Sequence, residues 1–327
     1  MSKRALICGI SGQDGSYLAK LLLERGYEVW GSSRDAEQCA FQNARRLGIY
    51  DSLRLVSLNL RDVGNAIGLL KRIAPQEVFS LAGQSSVGLS FEQPVETFES
   101  IAVGALTLLE AIRLTDPGIR LYNAGSTECF GDTGDAVADE TTRFHPRSPY
   151  AVAKASAFWT VANYREAYGL YACTGILSNH DSPLRPLRFV TRKIVHAVAQ
   201  VAAGHAGKIS LGNLEIERDW GWAPEYVEAI ASILDQPAPV DCIIATGQSH
   251  TLTEFVATAF QLIGKDWREY VTRDEHLLRP TDIVRNKVNP AKAAIMLAWK
   301  AKNGMKEVIA KMLEAEMKAM RDGHQAS

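Results

Sequence analysis

The stretch that decides the fold is Ala5-Leu-Ile-Cys-Gly9-Ile-Ser-Gly12-Gln-Asp-Gly15. A short apolar strand runs into a turn with three glycines, and a helix is predicted from Ser16 to Arg25. Strand, glycine turn and helix in this order open a dinucleotide-binding unit, because glycines let the backbone approach a pyrophosphate at the helix N-terminus. The spacing GxxGxxG also occurs in tight turns that are purely structural. The prediction of a dinucleotide site therefore rests on the position of the motif between the first strand and the first helix.

Strands and helices alternate without a break along the first half of the chain. Further strands are predicted at 28–33, 53–58, 77–82, 119–124 and 172–177, and long helices at 94–114 and 150–168. Such alternation predicts an α/β, Rossmann-type fold with a doubly wound parallel sheet.

The pattern changes after Pro183, where proline, arginine and glycine become dense. We therefore predict a Rossmann domain over residues 1–180 and a smaller, mostly C-terminal α/β substrate lobe. The lobe takes residues 181–218 and 251–285, segments near 219–250 and 286–300 return to the Rossmann domain, and 301–327 form a C-terminal helix. That helix is amphipathic and could cover the sheet edge.

Composition narrows the classes of function. The chain of 327 residues is 46% hydrophobic and 22% charged, with a formal net charge of −1 and no Lys/Arg-rich run. Neither nucleic acid nor an anionic membrane is therefore an expected partner. The five scattered cysteines lack metal-site spacing and indicate reduced thiols, so no metal is expected. The N-terminal apolar run is too short for a signal or a membrane span, which predicts a cytoplasmic protein.

Arg34 follows the second predicted strand, where the ribose of a dinucleotide is recognised. An acidic residue there would hold a 2′-hydroxyl, whereas an arginine accommodates a 2′-phosphate, so NADP is favoured over NAD. Two observations keep alternatives open: Asp35 would repel a phosphate, and Arg34 could be a solvated loop charge. After the third strand, Asn59 and Leu60 could flank an adenine or simply precede a helix capped near Asp62.

A second stretch, from Asn123 to Lys154, carries the predicted chemistry. Tyr150 and Lys154 lie one turn apart on the same helical face. An ammonium beside a phenol favours phenolate, so we expect the pKa of Tyr150 to be lowered. The pair therefore predicts an acid/base that works near neutral pH.

These motifs carry a family resemblance. The chain resembles the extended short-chain dehydrogenase/reductases through its three glycines, Ser126 and Tyr150-x-x-x-Lys154. Within that superfamily it is most similar to the GDP-mannose 4,6-dehydratases, and the likeness runs to about residue 297. The matching segments are Gly12-Gln-Asp-Gly-Ser-Tyr-Leu18, Arg147-Ser-Pro-Tyr-Ala-Val-Ala-Lys154, Asn163-Tyr-Arg-Glu166, Phe189-Val-Thr-Arg-Lys193, Leu211-Gly-Asn213, Arg218-Asp-Trp-Gly221 and Arg279-Pro280.

The resemblance implies an NADP-dependent lyase that converts GDP-mannose, or a close GDP-sugar, into the 4-keto-6-deoxy product. Tyr150 would accept the proton of the sugar 4-hydroxyl, Ser126 would hydrogen-bond the same oxygen, Lys154 would hold the nicotinamide ribose, and Glu128 would remove the C5 proton. The implied cofactor-binding residues are Gly9, Gly12, Gln13, Asp14, Gly15, Arg34, Asn59, Leu60, Leu81, Ser85, Tyr150, Lys154 and His180. The implied substrate-binding residues are Ser85, Glu128, Asn179, Val190, Lys193, Gly212, Asn213, Arg218, Arg279 and Asp282.

Several alternatives stay open at this point. A GDP-sugar 4-reductase or epimerase would use Tyr150 and Lys154 without elimination, a GDP-heptose dehydratase would differ only in its sugar, and a sensor would bind NADP without catalysis. Thr127 could serve in place of Ser126, because the family usually has threonine before serine here. The resemblance also implies a homo-oligomer, either a dimer or a tetramer, and Pro186 stands where the family has a loop glycine.

Overall fold

The first βαβ unit follows from the opening stretch. The structure is a computed structural model that describes residues 2–205 and 207–325. Strand β1 (Arg4–Cys8) is apolar and almost wholly buried, helix α1 (Gln13–Glu24) begins at the glycine turn, and strand β2 (Glu28–Ser33) pairs with β1 in parallel. A parallel pair needs such a crossover, so these elements start a parallel sheet.

The other elements continue the alternation. The remaining strands are β3 (Arg54–Ser57), β4 (Glu77–Ser80), β5 (Arg120–Ser126), β6 (Ala172–Leu177), β7 (Asn179–Asp181), β8 (Ile209–Leu211), β9 (Glu217–Trp222), β10 (Cys242–Ile244), β11 (Ser249–Thr251) and β12 (Val271–Arg273). The remaining helices are α2 (Gln42–Arg46), α3 (Val63–Ile73), α4 (Val87–Glu92), α5 (Pro94–Phe98), α6 (Gly104–Thr115), α7 (Pro149–Tyr168), α8 (Val190–Ala202), α9 (Ala223–Leu234), α10 (Leu252–Gln261), α11 (Ala291–Met296) and α12 (Met305–Gln325).

The central sheet of the described chain has seven parallel strands in the order β10-β6-β5-β4-β1-β2-β3. Helices α1 and α9 cover one face, and α3, α6 and α7 cover the other. The predicted doubly wound, Rossmann-type parallel sheet is therefore confirmed. The strand order reverses between β1 and β4, and ligands of such sheets bind beyond the carboxyl ends of the strands at that point.

Two element boundaries differ from the prediction in ways that matter for function. The helix predicted at 94–114 consists of α5, a π-helical turn (Glu99–Val103) and α6. Strand β5 runs to Ser126 rather than ending at Ala124. Because Gly125 and Ser126 pair with Ile176 and Leu177 of β6, the strand carries Ser126 to the carboxyl edge of the sheet.

A second hydrophobic core lies under the C-terminal half. It joins α8, α10 and α12 to β9, with Trp220 and Phe255 at its centre. Strands β11, β9 and β7 form one small sheet, and β12 pairs with β8. The division of the chain into a Rossmann domain, a substrate lobe and a separate C-terminal helix stays a prediction.

The suggestion that the C-terminal helix covers the edge of the central sheet is wrong. Helix α12 packs against α8 and α10, and its apolar stripe of Val308, Ile309 and Met312 belongs to the second core. An amphipathic pattern shows that one face is buried but does not say against what.

Within the described residues, no helix is both long enough and apolar enough to cross a membrane. The same part of the chain contains no group of three or more His, Cys, Asp and Glu side chains that could hold a metal ion.

Candidate functional site

The glycine turn has the geometry of a pyrophosphate cradle. Gly9 has φ +89°, and a Cβ on it would lie 2.8 Å from the backbone of Leu81 and Ala82. A Cβ on Gly15 would lie 2.4 Å from the Gly9 carbonyl oxygen. No side chain caps α1 at Gly12, so its first N–H groups stay available. Exposed helix N–H groups bind phosphate, and the turn therefore fits a dinucleotide.

Asp14 and His180 join this turn to the end of the sheet. The Asp14 carboxylate lies 2.9 Å from His180 Nε2, and His180 Nδ1 lies 2.7 Å from the Ser178 carbonyl oxygen. Both partners accept hydrogen bonds, which fits a doubly protonated imidazole. Burial disfavours the charged form of both groups, but the attraction and hydrogen bond between them outweigh it. The pKa of Asp14 is therefore lowered to about 2, and the pKa of His180 is raised. The pair therefore fastens the segment after β6 onto the glycine turn.

Ser126, Glu128 and Tyr150 meet at the carboxyl end of β5. Ser148 caps α7 and Pro149 occupies its first turn, so the helix presents Tyr150 from that turn. Ser126 hydrogen-bonds Tyr150, and its Oγ accepts the Glu128 N–H at 3.3 Å. Ser126 and Glu128 are 8% and 7% exposed, so water has little access to either. The register thus selects Ser126, not Thr127, as the hydroxyl beside the phenol.

The predicted lowering of the Tyr150 pKa is wrong for the protein alone. Burial raises the pKa of Tyr150, and the hydrogen bond from Ser126 offsets only part of that rise. The Lys154 ammonium does not counter this rise, because its Nζ donates to the Ala124 carbonyl oxygen at 2.6 Å and lies 5.8 Å from the centre of the Tyr150 ring. Burial also lowers the pKa of Lys154 to about 8. Helical spacing places the two side chains on one face but does not direct the ammonium at the phenol.

A chain of ion pairs leads from Glu128 into the C-terminal half. Arg218 Nε lies 3.4 Å from Glu128 Oε1, and Arg218 Nη2 lies 3.6 Å from Asp282 Oδ1. Arg279 Nη1 is 3.4 Å from the same Asp282 oxygen. Arg218 is 3% exposed, yet its Nη2 has no hydrogen-bond partner among the described residues. A buried donor without an acceptor is costly, so this atom is suited to a ligand oxygen.

One cavity of about 380 Å³ collects most of the predicted site. All ten predicted substrate-binding residues line it, and so do Asp14, Leu81, Ser126, Tyr150, Lys154 and His180. Lys193 is held in place by a 2.8 Å hydrogen bond from its Nζ to the Ser210 carbonyl oxygen. The cavity thus spans from the glycine turn to the ends of β8 and β9.

Seven predicted cofactor residues lie outside this cavity. Gly9, Gly12, Gln13 and Gly15 form the turn behind it, and Gln13 bonds Ser182 and the His180 carbonyl oxygen. Arg34 is 87% exposed and pairs with Glu96. Asn59 accepts the Arg61 N–H, and Leu60 packs beside Gly104. Their cofactor roles stay predictions.

Arg185 is a cavity residue that was not among the predicted ones. Its Nη1 donates to the His180 carbonyl oxygen at 3.2 Å, its Nε lies 3.2 Å from Asp181, and its guanidinium is 3.9 Å from the centre of the Phe189 ring. The signal was present in the sequence, since Arg185 stands in the loop that follows His180.

Asn286 and Asp219 also support the site, although neither was among the predicted site residues. Asn286 Nδ2 donates to the carbonyl oxygens of Thr127 and Gly131, which holds the segment around Glu128. The Asp219 carboxylate accepts the N–H groups of Thr246 and Gly247 and so anchors β9 next to Arg218. These contacts join residues far apart in the chain, which is why local reasoning missed them.

Comparison with known proteins bears on the whole chain. The sequence model described as GDP-mannose 4,6 dehydratase matches residues 6–312. GDP-mannose 4,6 dehydratase 1 of Arabidopsis thaliana is 45% identical over 325 residues, which cover 96% of this chain and 90% of the plant protein. UDP-glucose 4-epimerase of Thermus thermophilus, solved with NAD, is 26% identical, with a TM-score of 0.84 and coverage of 97% and 99% of the two chains.

A further solved structure shares the fold. A double mutant of dTDP-glucose 4,6-dehydratase from Streptomyces venezuelae, solved with NAD bound, superposes with a TM-score of 0.86 over 98% of each chain at 21% identity.

Proposed function

The chain belongs to the GDP-mannose 4,6-dehydratase family, and on that premise we propose that it converts GDP-mannose into the GDP-4-keto-6-deoxy sugar with NADP as cofactor. The observation that carries the proposal is the place of Glu128. A carboxylate that is 7% exposed stands beside Ser126 and Tyr150 and is paired with Arg218 in the same cavity. A reductase or an epimerase needs no base at this point.

The first step is oxidation at sugar C4. We propose that Tyr150 accepts the proton of the 4-hydroxyl while Ser126 donates a hydrogen bond to the same oxygen. Lys154 holds the nicotinamide ribose. A bound nicotinamide dinucleotide would supply the hydride chemistry of the reaction, with sugar C4 as the donor and C6 as the acceptor. General acid–base catalysis by a placed side chain accelerates such steps about 10² to 10⁴-fold.

Elimination is the step that defines a dehydratase. The C4 ketone acidifies the C5 proton, and we propose that the Glu128 carboxylate removes it. The carboxylic acid formed then protonates the departing C6 hydroxyl, which leaves as water. Arg218 keeps the carboxylate oriented, because its Nε lies 3.4 Å from Glu128 Oε1. Hydride delivered to C6 would leave an enolate, and C5 would take up a proton equivalent to the one that Tyr150 accepted from the 4-hydroxyl. Atoms then balance with the loss of one water, and the reaction has no net redox change.

Substrate recognition needs donors for two phosphates and contacts for a guanosine. We propose Arg218, Arg279, Lys193 and Asn179 for the diphosphate, because charge-assisted donors around a buried anion bind it strongly and arginine can do so bidentately. The residues proposed to contact the remainder of the nucleotide sugar are Ser85, Val190, Gly212, Asn213 and Asp282.

The cofactor class follows from the glycine turn, which fits the pyrophosphate of a nicotinamide dinucleotide. Solved relatives of the same fold hold NAD. For this chain we propose NADP, because Arg34 stands at the end of β2, where a 2′-phosphate is recognised.

We propose that the protein works as a homo-oligomer, a dimer or a tetramer. Helices α5, α6 and α7 pack side by side and expose Val95, Phe98, Leu106, Val152 and Trp159. Trp159, the largest of these side chains, is 62% exposed. Large apolar patches on a surface commonly mark protein–protein contacts.

The proposed reaction is tested by mass spectrometry of the sugar nucleotide. Incubating the protein with GDP-mannose and NADP+ should yield a product that has lost one water, with no net NADPH. Glu128→Gln should slow water loss about 10² to 10⁴-fold and leave GDP-mannose binding within a few-fold of the parent.

The matched control is Glu215→Gln, an exposed glutamate of the C-terminal half, which should not change the rate. Stoichiometric NADPH would show a dehydrogenase instead. Water loss at the parental rate in Glu128→Gln would mean that another group is the base.

A further inference from the structure

Arg34 and Arg61 hold one carboxylate between them. Arg34 Nη1 lies 3.1 Å from Glu96 Oε1, and Arg61 Nη2 pairs with Glu96 Oε2. Arg61 Nη2 is also 2.7 Å from Glu99 Oε2. The arginines are 87% and 48% exposed, and the two glutamates are about one-third exposed. Two guanidiniums around one anion form an anion site that an internal carboxylate occupies.

The backbone brings the two arginines together. Ser33 at the end of β2 pairs with Ser57 at the end of β3, and the Leu58 N–H donates to the Ser33 carbonyl oxygen. Arg34 is therefore the first residue beyond one strand, and Arg61 lies just beyond its neighbour. Asn59 Oδ1 accepts the Arg61 N–H at 3.1 Å, which fixes the turn that carries Arg61.

The place of this anion site is that of the cofactor ribose. In a doubly wound fold, the end of the second strand contacts the adenosine ribose, and a phosphate there requires cationic side chains. Asp35 is directed away, because its Oδ1 accepts the N–H groups of Glu37 and Gln38 within its own loop. Arginine suits a phosphate better than it suits a single carboxylate oxygen, because it can donate bidentately.

We propose that Arg61 is the second guanidinium that recognises the 2′-phosphate of the cofactor, and that Glu96 holds its place until the cofactor binds. The inference rests on the proposed use of NADP. Binding of NADP exchanges the Glu96 carboxylate for the phosphate on Arg34 and Arg61. Glu96 thereby limits the preference for NADP over NAD, since its carboxylate competes with the 2′-phosphate, which NAD lacks.

Direct titration of NADP+, NAD+ and adenosine 2′,5′-bisphosphate tests this without any turnover. Arg61→Ser should weaken NADP+ and the bisphosphate about tenfold, the loss expected for one charge-assisted hydrogen bond at a half-exposed site. NAD+ affinity should stay within about twofold. Glu96→Gln should tighten NADP+ and the bisphosphate several-fold, because the internal competitor has lost its charge, and should leave NAD+ unchanged.

Arg54→Ser is the matched control, because Arg54 begins β3 and pairs with Glu28 at the opposite end of the same strands. It removes the same charge and should change none of the three affinities. Retained NAD+ binding shows that each variant is folded. Equal loss of NADP+ and NAD+ in Arg61→Ser, or no loss of either, overturns the inference.

The outcome is separable from that of the proposed function. Water loss from GDP-mannose by the parent protein tests the reaction, whatever Arg61 does. A parent protein that binds neither dinucleotide would overturn both proposals.

Discussion

Lys154 illustrates how burial acts on a single charge. Its ammonium donates to the Ala124 carbonyl oxygen, and burial lowers its pKa to about 8 from 10.5. Below about pH 8 the lysine is charged in both the folded and the unfolded protein, and the folded state carries the full desolvation penalty. Between pH 8 and 10.5 the unfolded chain binds a proton that the folded protein has released, so the free energy of unfolding rises with pH.

Lys154→Met should therefore stabilise the protein at pH 7 while abolishing dehydration. We expect the free energy of unfolding to increase by about 1 to 3 kcal/mol, the worth of a shift of this size after partial screening. The advantage over the parent should shrink as the pH rises from 8 to 10.5. Urea unfolding across this pH range measures it.

The matched control is Lys20→Met, since Lys20 is an exposed lysine of α1 paired loosely with Glu24. It should change the free energy of unfolding little at any pH. A Lys154→Met protein that is less stable than the parent at pH 7 would show that the bond to Ala124 outweighs the burial of the charge.

At the scale of the element, the second residue after α11 has an unfavourable backbone conformation. Ala298 has φ +50°, in the left-handed region. It follows the last turn of α11 and precedes Trp299, whose Nε1 donates to the Glu225 carbonyl oxygen. A Cβ disfavours left-handed dihedrals by about 1 to 2 kcal/mol.

Ala298→Gly should raise the free energy of unfolding by about 0.5 to 1 kcal/mol, the left-handed penalty less the extra entropy of an unfolded glycine. Denaturant unfolding at pH 7 is the measurement. Ala301→Gly is the control: φ at Ala301 is not positive, so glycine there should lower stability by a similar amount. Equal effects of both changes would contradict the argument.

The ion pairs of β9 also belong to the scale of the element. Strand β9 carries Arg218 between Glu128 and Asp282, and Asp219 anchors the strand on its other side. A diphosphate bound by Arg218 would be linked to Glu128 through the single guanidinium that contacts both. If Arg218 binds the diphosphate and Glu128 is the base, as proposed above, the position of this one strand couples substrate binding to the orientation of the base.

At the scale of the whole molecule, the exposed apolar surface of α5 to α7 predicts self-association. Trp159→Glu should lower the molar mass measured by light scattering, because a charge cannot be buried in an apolar contact without a partner. Ile295→Glu is the control, since Ile295 is 79% exposed on α11, outside these three helices. An unchanged mass in Trp159→Glu would place the contact elsewhere or show that the protein is a monomer.

Much of the site was predictable because parallel strands end at one edge. The family resemblance implied the ten substrate-binding residues, and all of them line one cavity. The direction of the Tyr150 pKa and the packing of α12 were not predictable, since both depend on what burial places nearby. Arg61 was missed because the anion between it and Arg34 comes from α5, far along the chain.

The sequence by itself determined the doubly wound fold and the family, and it predicted Ser126, Glu128, Tyr150 and Lys154 as catalytic residues. Glycine spacing, strand alternation and helical period are local patterns, so they can be read directly from the sequence. Only the tertiary structure decided which ammonium contacts which oxygen, that Arg218 lies against Glu128, and that Arg34 and Arg61 converge on Glu96. Those contacts depend on burial and on the packing of segments that are distant in the chain. Burial changes the protonation of a side chain and packing decides its partner, and no short stretch of sequence encodes either.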